Sequence, residues 1–468
     1  MTHAKPPSAF DPDGRRLPIK LDSTSNGEFV PIPLEPVNRQ ANRMAAEWAG
    51  VNAKRRGLPR RDFLISACGA ASTLLAINAA NAANAAAGRT GGFYDLDRTA
   101  AVDPDLARER LAGKEFIFDV QGHFVGAGAR NHPLGNAQTF VKDVFLDSDT
   151  DMMVLSFIPS RRDPELLTVA EADAARQVVE RLDGDHRLMI HGRVNPNQDG
   201  DLRDMDELAA RWKVAAWKTY TQWGPDGRGF FLDDEAGIRL IENARRVGVK
   251  IVCVHKGLPF GQRSYEHSTC RDIGVVAKRY PDVDFLVYHA GFVPGAKEGP
   301  YDPDRFDGVD GLIRSLEENG VPPNANVYAD LGSTWRQLMR DPDSAAHALG
   351  KLLVRVGENN VLWGTDSIWY GSPQDQIQAF RVFQIAPALR ERHGYPELTP
   401  ALRAKIFGLN ATRPYGIDVE EVVKRAAADP IARERQAYRE HPDPHYLTYV
   451  PRNRREFLAF RKAAGGEP

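Results

Sequence analysis

Three histidines and one aspartate stand where short apolar runs of the sequence end, and together they could bind a metal. His123 follows FIFDVQG, His255 ends KIVCVH, His289 ends DFLVYH and Asp366 follows VLWGT. Imidazole nitrogens and a carboxylate are ligands that suit a divalent cation of the zinc type, with one position left for water. Water bound to such a cation becomes a nucleophile near neutral pH. These residues therefore predict metal-assisted chemistry.

Other side chains near the ends of apolar runs are candidates for holding a substrate. Lys218 lies near the end of VAAWKTY, and Arg161 and Arg162 follow MMVLSF, where guanidinium groups could bind an anion through paired hydrogen bonds. Asp330 is a candidate for orienting a histidine. Aromatic residues in the following segments could form a wall beside a flat substrate: Trp223, Phe260, Trp335, Trp369 and Tyr370.

Eight short runs rich in β-branched or aromatic residues alternate with segments of helical periodicity from residue 116 onward. The predicted strands begin at Phe116, Met152, Arg187, Val214, Lys250, Asp284, Asn326 and Val361. The clearest predicted helices cover 164–182, 201–212, 233–247, 268–280 and 341–356. This alternation predicts an α/β fold, the (β/α)8 TIM barrel, in which the carboxyl ends of the strands meet on one face. A doubly wound open sheet is disfavoured because no glycine-rich dinucleotide turn follows the first strand.

The chain resembles the amidohydrolase superfamily, in the branch that includes the aminocarboxymuconate semialdehyde and resorcylate decarboxylases. The resemblance covers roughly residues 115–417 and is most specific at the WGTD element. It is carried by FDVQGHF at 118–124, VCVH at 252–255, LVYHAG at 286–291, LWGTDSIW at 362–369 and KIFGLNATRPYGI at 405–417.

The resemblance implies a role for each residue of the predicted cluster. His123, His255 and Asp366 become metal ligands, and His289 an acid or base that acts on water. The family's first strand usually carries His-x-His, whereas this chain has Gln121 at the first position. Glutamine is a weak neutral ligand, so Gln121 would lower the affinity for zinc, shift preference toward a harder ion such as manganese, or leave a site without metal.

Two enzymatic reactions and one non-catalytic function are compatible with these residues. The leading hypothesis is hydrolysis of a small, aromatic or carboxylated molecule, with His289 and Asp366 moving protons. The alternative reaction is non-oxidative decarboxylation of an aromatic or unsaturated acid, which occurs on the same scaffold. A non-catalytic exported binding protein is the third hypothesis, and Gln121 is the residue that supports it.

The N-terminal part of the chain resembles an export signal. Arg60 and Arg61 precede an apolar, alanine-rich stretch with repeated Ala-x-Ala sites, the order that is typical of a twin-arginine signal. The sequence therefore predicts a polar leader (1–58), a signal segment (59–87) that is removed or lies outside the fold, the barrel (88–417) and a C-terminal extension (418–468). This interpretation predicts that the twin-arginine export machinery is a partner and that the protein is periplasmic or secreted. The route carries folded proteins, so a metal inserted before export would explain its use.

Composition narrows the class of partner. A formal net charge of -2, from 61 basic and 63 acidic residues, favours a small-molecule substrate over nucleic acid. The apolar stretch is too short and too polar for a stable membrane span. Three cysteines give no disulfide framework, although Cys253 and Cys270 could pair. A homo-oligomer is compatible with this composition.

Overall fold

The computed structural model describes residues 13–83, 91–125, 136–163, 165–182, 184, 186–259, 265–444 and 446–463. The strands in these ranges are, in chain order, β1 (Gly92–Tyr94), β2 (Phe118–Gly122), β3 (Met152–Leu155), β4 (Leu188–Arg193), β5 (Ala216–Tyr220), β6 (Ile251–His255), β7 (Asp284–Tyr288), β8 (Val327–Asp330), β9 (Val361–Leu362) and β10 (Phe383–Ile385).

The α-helices in the same ranges begin before the barrel and continue after it. In chain order they are α1 (Pro36–Arg55), α2 (Arg60–Leu64), α3 (Ala67–Ala83), α4 (Pro104–Leu111), α5 (Ala137–Val141), α6 (Val169–Glu180), α7 (Asp201–Ala210), α8 (Glu235–Val247), α9 (Tyr265–Ser268), α10 (Ile273–Arg279), α11 (Gly308–Asn319), α12 (Thr334–Leu338), α13 (Pro342–Leu352), α14 (Gln374–Val382), α15 (Pro387–His393), α16 (Pro400–Ala404), α17 (Asn410–Tyr415), α18 (Val419–Ala426), α19 (Pro430–Glu440) and α20 (Arg454–Ala463).

The eight strands β2 to β9 form a parallel barrel, which confirms the predicted fold. They pair in chain order from β2 to β9, and every pair is parallel. The ring closes between the first and last strands, where the Val120 amide donates to the Trp363 carbonyl at 3.0 Å and the Asp366 amide donates to the Gln121 carbonyl at 2.9 Å. β1 and β10 form a separate antiparallel pair.

Alternation along the strands separates the barrel interior from its helix-covered outside. Residues such as Ala216, Cys253 and Tyr328 belong to one buried cluster, whereas their chain neighbours pack in the larger cluster with the helices. Because side chains alternate in direction along a strand, Lys218 and His255 share the inward direction of Ala216 and Cys253. The interior is therefore apolar at one end and polar at the end where the strands finish.

The segment before the barrel packs into the same hydrophobic core, so it does not lie outside the fold, and the alternative that residues 59–87 are removed stays a prediction. Phe63 and Leu74 are fully buried, and both belong to the main core cluster together with barrel residues. α3 packs along α1 and touches α4 and α14. Residues 84–87 of the predicted signal lie outside the described residues. An alanine-rich helix buries well here because its small side chains let the α1 backbone come close.

The leader and the C-terminal extension meet at the barrel mouth. The Ser25 amide donates to the Pro451 carbonyl at 3.1 Å, and the Tyr449 amide donates to the Trp369 carbonyl at 2.9 Å.

The three cysteines are free buried thiols, so Cys253 and Cys270 do not pair. Within the described ranges, no helix combines the length and the apolar character that crossing a membrane requires.

Candidate active site

The four residues of the predicted cluster meet at the carboxyl ends of the barrel strands. His255 is the last residue of β6, His289 directly follows β7, His123 directly follows β2, and Asp366 follows β9. Each is at most 1% exposed. Their placement follows from the barrel itself, since all eight parallel strands end on the same face.

Asp366 and His123 form one half of the site, and Gln121 connects them to the other half. Asp366 Oδ1 lies 3.1 Å from His123 Nε2 and accepts from Gln121 Nε2 at 3.0 Å. Burial raises the pKa of Asp366, but its hydrogen bonds with His123 and Ser333 and its electrostatic interactions with His123 and His289 lower it to about 2. Asp366 is therefore an ionised carboxylate in a dry environment.

His255 and His289 form the other half. His289 Nε2 lies 3.2 Å from His255 Nδ1, and His289 Nδ1 lies 2.7 Å from the Gly332 carbonyl. A carbonyl only accepts, so Nδ1 carries the proton and Nε2 presents a lone pair. Burial lowers the pKa of His289 to about 4 and that of His255 below its usual range. Both rings are thus neutral imidazoles, the form that binds a metal.

His123 is oriented in the same way. Its Nδ1 lies 3.1 Å from the Ser156 carbonyl, which leaves Nε2 with a lone pair that faces the Asp366 carboxylate. The Trp369 ring stacks on the imidazole with centroids 5.7 Å apart. Two acceptors that face each other at about 3 Å require a proton or a cation between them. The geometry therefore favours positive charge at this position.

The loops that carry these residues adopt unusual backbone conformations. His289, Ala290, Ser333 and Asp366 all have positive φ, between 50° and 64°. Residues other than glycine adopt this left-handed region at an energetic cost, and such residues concentrate at functional sites. The Ser333 hydroxyl donates to Asp366 Oδ2, so one strained loop holds the functional group of another.

Two buried carboxylates, Asp330 and Asp119, hold the backbone of the site through hydrogen bonds from main-chain amides. Asp330 accepts the Gly332 amide at 3.1 Å and the His289 amide at 3.5 Å, so it positions His289 through the main chain rather than through the ring. Asp119 accepts the amides of Gln121 at 3.0 Å and of Thr365 at 3.1 Å. A β-bulge between Asp119 and Gly122 accompanies this arrangement.

The N-terminal leader contributes two residues that the sequence did not indicate. Glu28 Oε1 lies 3.5 Å from His255 Nδ1, and Glu28 Oε2 lies 4.0 Å from His289 Nε2. Asn26 Nδ2 donates to Glu28 and, at 2.8 Å, to Asp366 Oδ2. Burial and the negative charge of Asp366 raise the pKa of Glu28 to about 8. The leader has no motif, so only tertiary contacts identify Glu28.

The donor set fits a divalent cation. Within the described residues, the group whose ligand atoms lie mutually within 4.8 Å consists of Glu28, His255 and His289. It shares His255 with the predicted ligand set, whereas His123 and Asp366 pair with each other beside it. The buried Gln121 Oε1 accepts no hydrogen bond from the described residues, and its Nε2 faces both His123 and His289, at 3.4 and 3.5 Å. Gln121 is thus placed to donate hydrogen bonds to the site through its Nε2.

Lys218 lies in the barrel interior below the histidines. Its Nζ lies 3.4 Å from the centroid of the Tyr288 ring and 4.6 Å from that of Tyr220, and no described residue accepts a hydrogen bond from it. Burial lowers its pKa to about 8, against the nearby thiol and carboxylates that raise it. It is a desolvated cation, stabilised by aromatic faces and available to an anionic group.

The predicted arginines are engaged elsewhere. Arg162 pairs with Asp201 at 3.1 Å and with Asp204 at 2.6 Å, and exposed Arg161 donates to the Pro225 carbonyl at 3.0 Å. Of the five predicted aromatic residues, Phe260 lies outside the described residues, and Trp223 is half-buried with its carbonyl accepting from Asn197 Nδ2 at 2.9 Å. Trp369 is 2% exposed against His123, Trp335 packs on Phe380 in the core, and the Tyr370 hydroxyl lies 2.7 Å from Ser333 Oγ.

Comparison with known proteins gives one family match. The profile of the amidohydrolase family matches residues 119–417. A search of curated proteins finds no significant match.

The chain is also similar to solved structures. 5-Carboxyvanillate decarboxylase from Sphingomonas paucimobilis is 13% identical with a TM-score of 0.43, and the alignment covers 65% of this chain and 100% of that one. 2,6-Dihydroxybenzoate decarboxylase from Rhizobium is 14% identical with a TM-score of 0.40, covering 64% and 99%. 4-Oxalomesaconate hydratase from Rhodopseudomonas palustris is 14% identical with a TM-score of 0.38, covering 70% and 100%.

Proposed function

We propose that this chain, which belongs to the amidohydrolase family, is a metal-dependent hydrolase of a small, aromatic or carboxylated molecule. The observation that carries the proposal is the convergence of three histidines and two carboxylates at the mouth of a barrel, all of them buried or nearly so. Buried groups of this kind are costly without a function that uses them.

His255 and His289 are the residues that would hold the cation. Their lone pairs are close enough to share one ion, and His289 is fixed for this role by its hydrogen bond to Gly332. A bound divalent cation supplies Lewis acidity and makes water a nucleophile near neutral pH. This assignment moves His289 from the predicted acid or base role to a ligand role, because its lone pair points at His255.

Asp366 and His123 are the pair that would move the proton. Their functional atoms lie 3.1 Å apart, within hydrogen-bond distance, so a proton taken from water can rest between them and then pass to the leaving group. Asn26, Gln121 and Ser333 hold the carboxylate in place with three donated hydrogen bonds. Trp369 keeps the His123 ring oriented by stacking.

Lys218 is the residue that would bind the substrate's negative charge. A carboxylate or a polarised carbonyl would give Nζ the acceptor that no described residue supplies. The rings of Tyr220 and Tyr288 beside it suit a flat substrate. Arg161 and Arg162 stay secondary candidates, since a substrate would compete with Pro225, Asp201 and Asp204 for them.

A substrate panel with metal analysis tests the proposal. We expect turnover of lactones, amides or activated esters, loss of that turnover on chelation, and recovery when Zn²⁺ or Mn²⁺ is returned. His289→Ala is expected to lose at least about a hundredfold in kcat/KM, whereas His441→Ala, a control at an exposed histidine, retains it. Release of carbon dioxide from hydroxybenzoates without ester or lactone hydrolysis would replace the hydrolase by a decarboxylase. Unchanged turnover after His289→Ala would refute the catalytic assignment.

We also propose export by the twin-arginine route. Arg60 and Arg61 are exposed at the start of α2, where a receptor could reach them, and Arg61 makes only a surface ion pair with Asp443 at 2.6 Å. Because Phe63 and Leu74 are buried in the fold, the route requires either that the signal be recognised before α3 packs or that the arginines alone suffice.

A further inference from the structure

We propose that Glu28, carried by the N-terminal segment 13–35, is a ligand of the metal. It replaces the metal ligand that Gln121 does not provide. The inference rests on the proposed function, since it concerns the same metal site. It makes the leader a part of the catalytic centre rather than a passive extension.

The first support is the spacing of the donor atoms. The His255–His289 contact measures 3.2 Å, and the two contacts to Glu28 measure 3.5 and 4.0 Å. Two ligands of a tetrahedral cation, each about 2.1 Å from it, lie about 3.4 Å apart. The three distances bracket this value, so a cation bound by both histidines would lie within reach of the Glu28 carboxylate.

The second support is the charge of the pocket. One amide group, Asn26 Nδ2, donates to both Glu28 and Asp366, which keeps the two carboxylates close together. Two carboxylates in a poorly solvated site repel each other unless a proton or a cation lies between them. The side chain of Glu28 is 13% exposed, so water provides little screening, and a divalent cation offsets the repulsion.

The third support is the way the segment is fastened to the barrel. Asp22 and Arg336 form an ion pair in which both side chains are 1% exposed, and Lys20 Nζ donates to the Tyr370 carbonyl at 2.7 Å. Gly27 has a φ of 91°, and a Cβ at this position would lie 2.3 Å from the Phe460 ring. Only glycine fits this turn, which directs the next residue, Glu28, into the site.

Metal binding by three purified full-length proteins tests the inference: wild type, Glu28→Gln and the control Glu47→Gln, which removes an exposed carboxylate from α1. Zn²⁺ affinity is measured by competition with a chromophoric chelator, and the Co²⁺-loaded proteins are compared by their visible absorption bands. We expect Glu28→Gln to weaken Zn²⁺ binding by at least about tenfold and to alter the Co²⁺ spectrum, with Glu47→Gln unchanged. Melting of the metal-free proteins confirms that the variants fold.

The outcomes separate the inference from the proposed function. If wild type binds Zn²⁺ and Glu28→Gln binds it equally well with the same Co²⁺ spectrum, Glu28 is not a ligand, while the metal-dependent hydrolase stands. If wild type binds no divalent cation, both fail. If Glu28→Gln binds Zn²⁺ normally but gains affinity for benzoate, Glu28 occupies the place of a substrate carboxylate and the inference is overturned. Should Glu28→Gln not fold, an unchanged Co²⁺ spectrum in Glu28→Asp would overturn the inference as well.

Discussion

Replacing Leu74 by alanine measures whether α3 belongs to the mature protein. Leu74 is fully buried in the main core cluster, whereas Leu58, between α1 and α2, is 39% exposed. Truncating a buried leucine to alanine costs about 3 kcal/mol, because apolar contacts are lost and a cavity remains. Leu58→Ala makes the same chemical change where part of the side chain already contacts water, so it should cost less than about 1 kcal/mol.

The size of the expected shift in Tm follows from the length of the chain. At about 2.1 cal/mol/K per residue, 468 residues give an entropy of unfolding of about 1 kcal/mol/K. Leu74→Ala should therefore lower Tm by about 3 °C, and Leu58→Ala by less than about 1 °C. Both values assume that α3 and the barrel unfold together, as their shared core implies.

The assay is differential scanning calorimetry of wild type and the two variants, with intact-mass spectrometry of each sample. The mass establishes whether residues 59–83 are present in the protein that is melted. The reasoning is refuted if the chain is intact and Leu74→Ala melts within 1 °C of Leu58→Ala. A fully active enzyme isolated without these residues would refute it too, since processing after residue 83 would also remove Glu28.

The remaining predictions concern a buried cation, a carboxylate and the arginine pair. Burial lowers the pKa of Lys218 to about 8 from 10.5, so the unfolded chain binds more protons between these values and wild-type stability rises with pH there. Lys218→Met should accordingly be more stable than wild type at pH 7 by about 3 kcal/mol, and this advantage should shrink above pH 8, as measured by urea unfolding; a constant difference would contradict the buried charge. Asp366→Asn should lower kcat by at least about a hundredfold while the protein still folds, and a loss below tenfold would exclude Asp366 from proton transfer. Replacing Arg60 and Arg61 by lysine should retain the protein in the cytoplasm, and unchanged periplasmic activity would argue against the twin-arginine route.

The fold could be predicted from the sequence because its signals are local. Strand and helix periodicity repeat within short windows, and eight such units leave the parallel barrel as the arrangement that pairs every strand. His255 and His289 could be placed for the same reason, since each lies at the carboxyl end of a strand that the barrel fixes. The sequence therefore predicts which end of the barrel interior is polar.

Two features of the site could not be predicted because they depend on contacts between distant parts of the chain. Glu28 meets His255 across more than 200 residues, and no local pattern marks a glutamate that a turn at Gly27 directs into a barrel mouth. The direction of the His289 lone pair depends on the Gly332 carbonyl, which another loop supplies. Sequence patterns give the residue types of a site, but not which atoms face one another.

The alanine-rich segment shows most clearly the difference between what local sequence determines and what contacts between distant parts of the chain decide. An apolar stretch after two arginines has the composition of an export signal, and composition records only that the stretch avoids water. A protein core satisfies that tendency as well as a membrane does. The sequence by itself determined only that residues 67–83 lie in an apolar, alanine-rich stretch that avoids water. Only the tertiary structure decided that α1 and the barrel cover them, because the fit between small side chains and neighbouring helices is a property of the packed molecule.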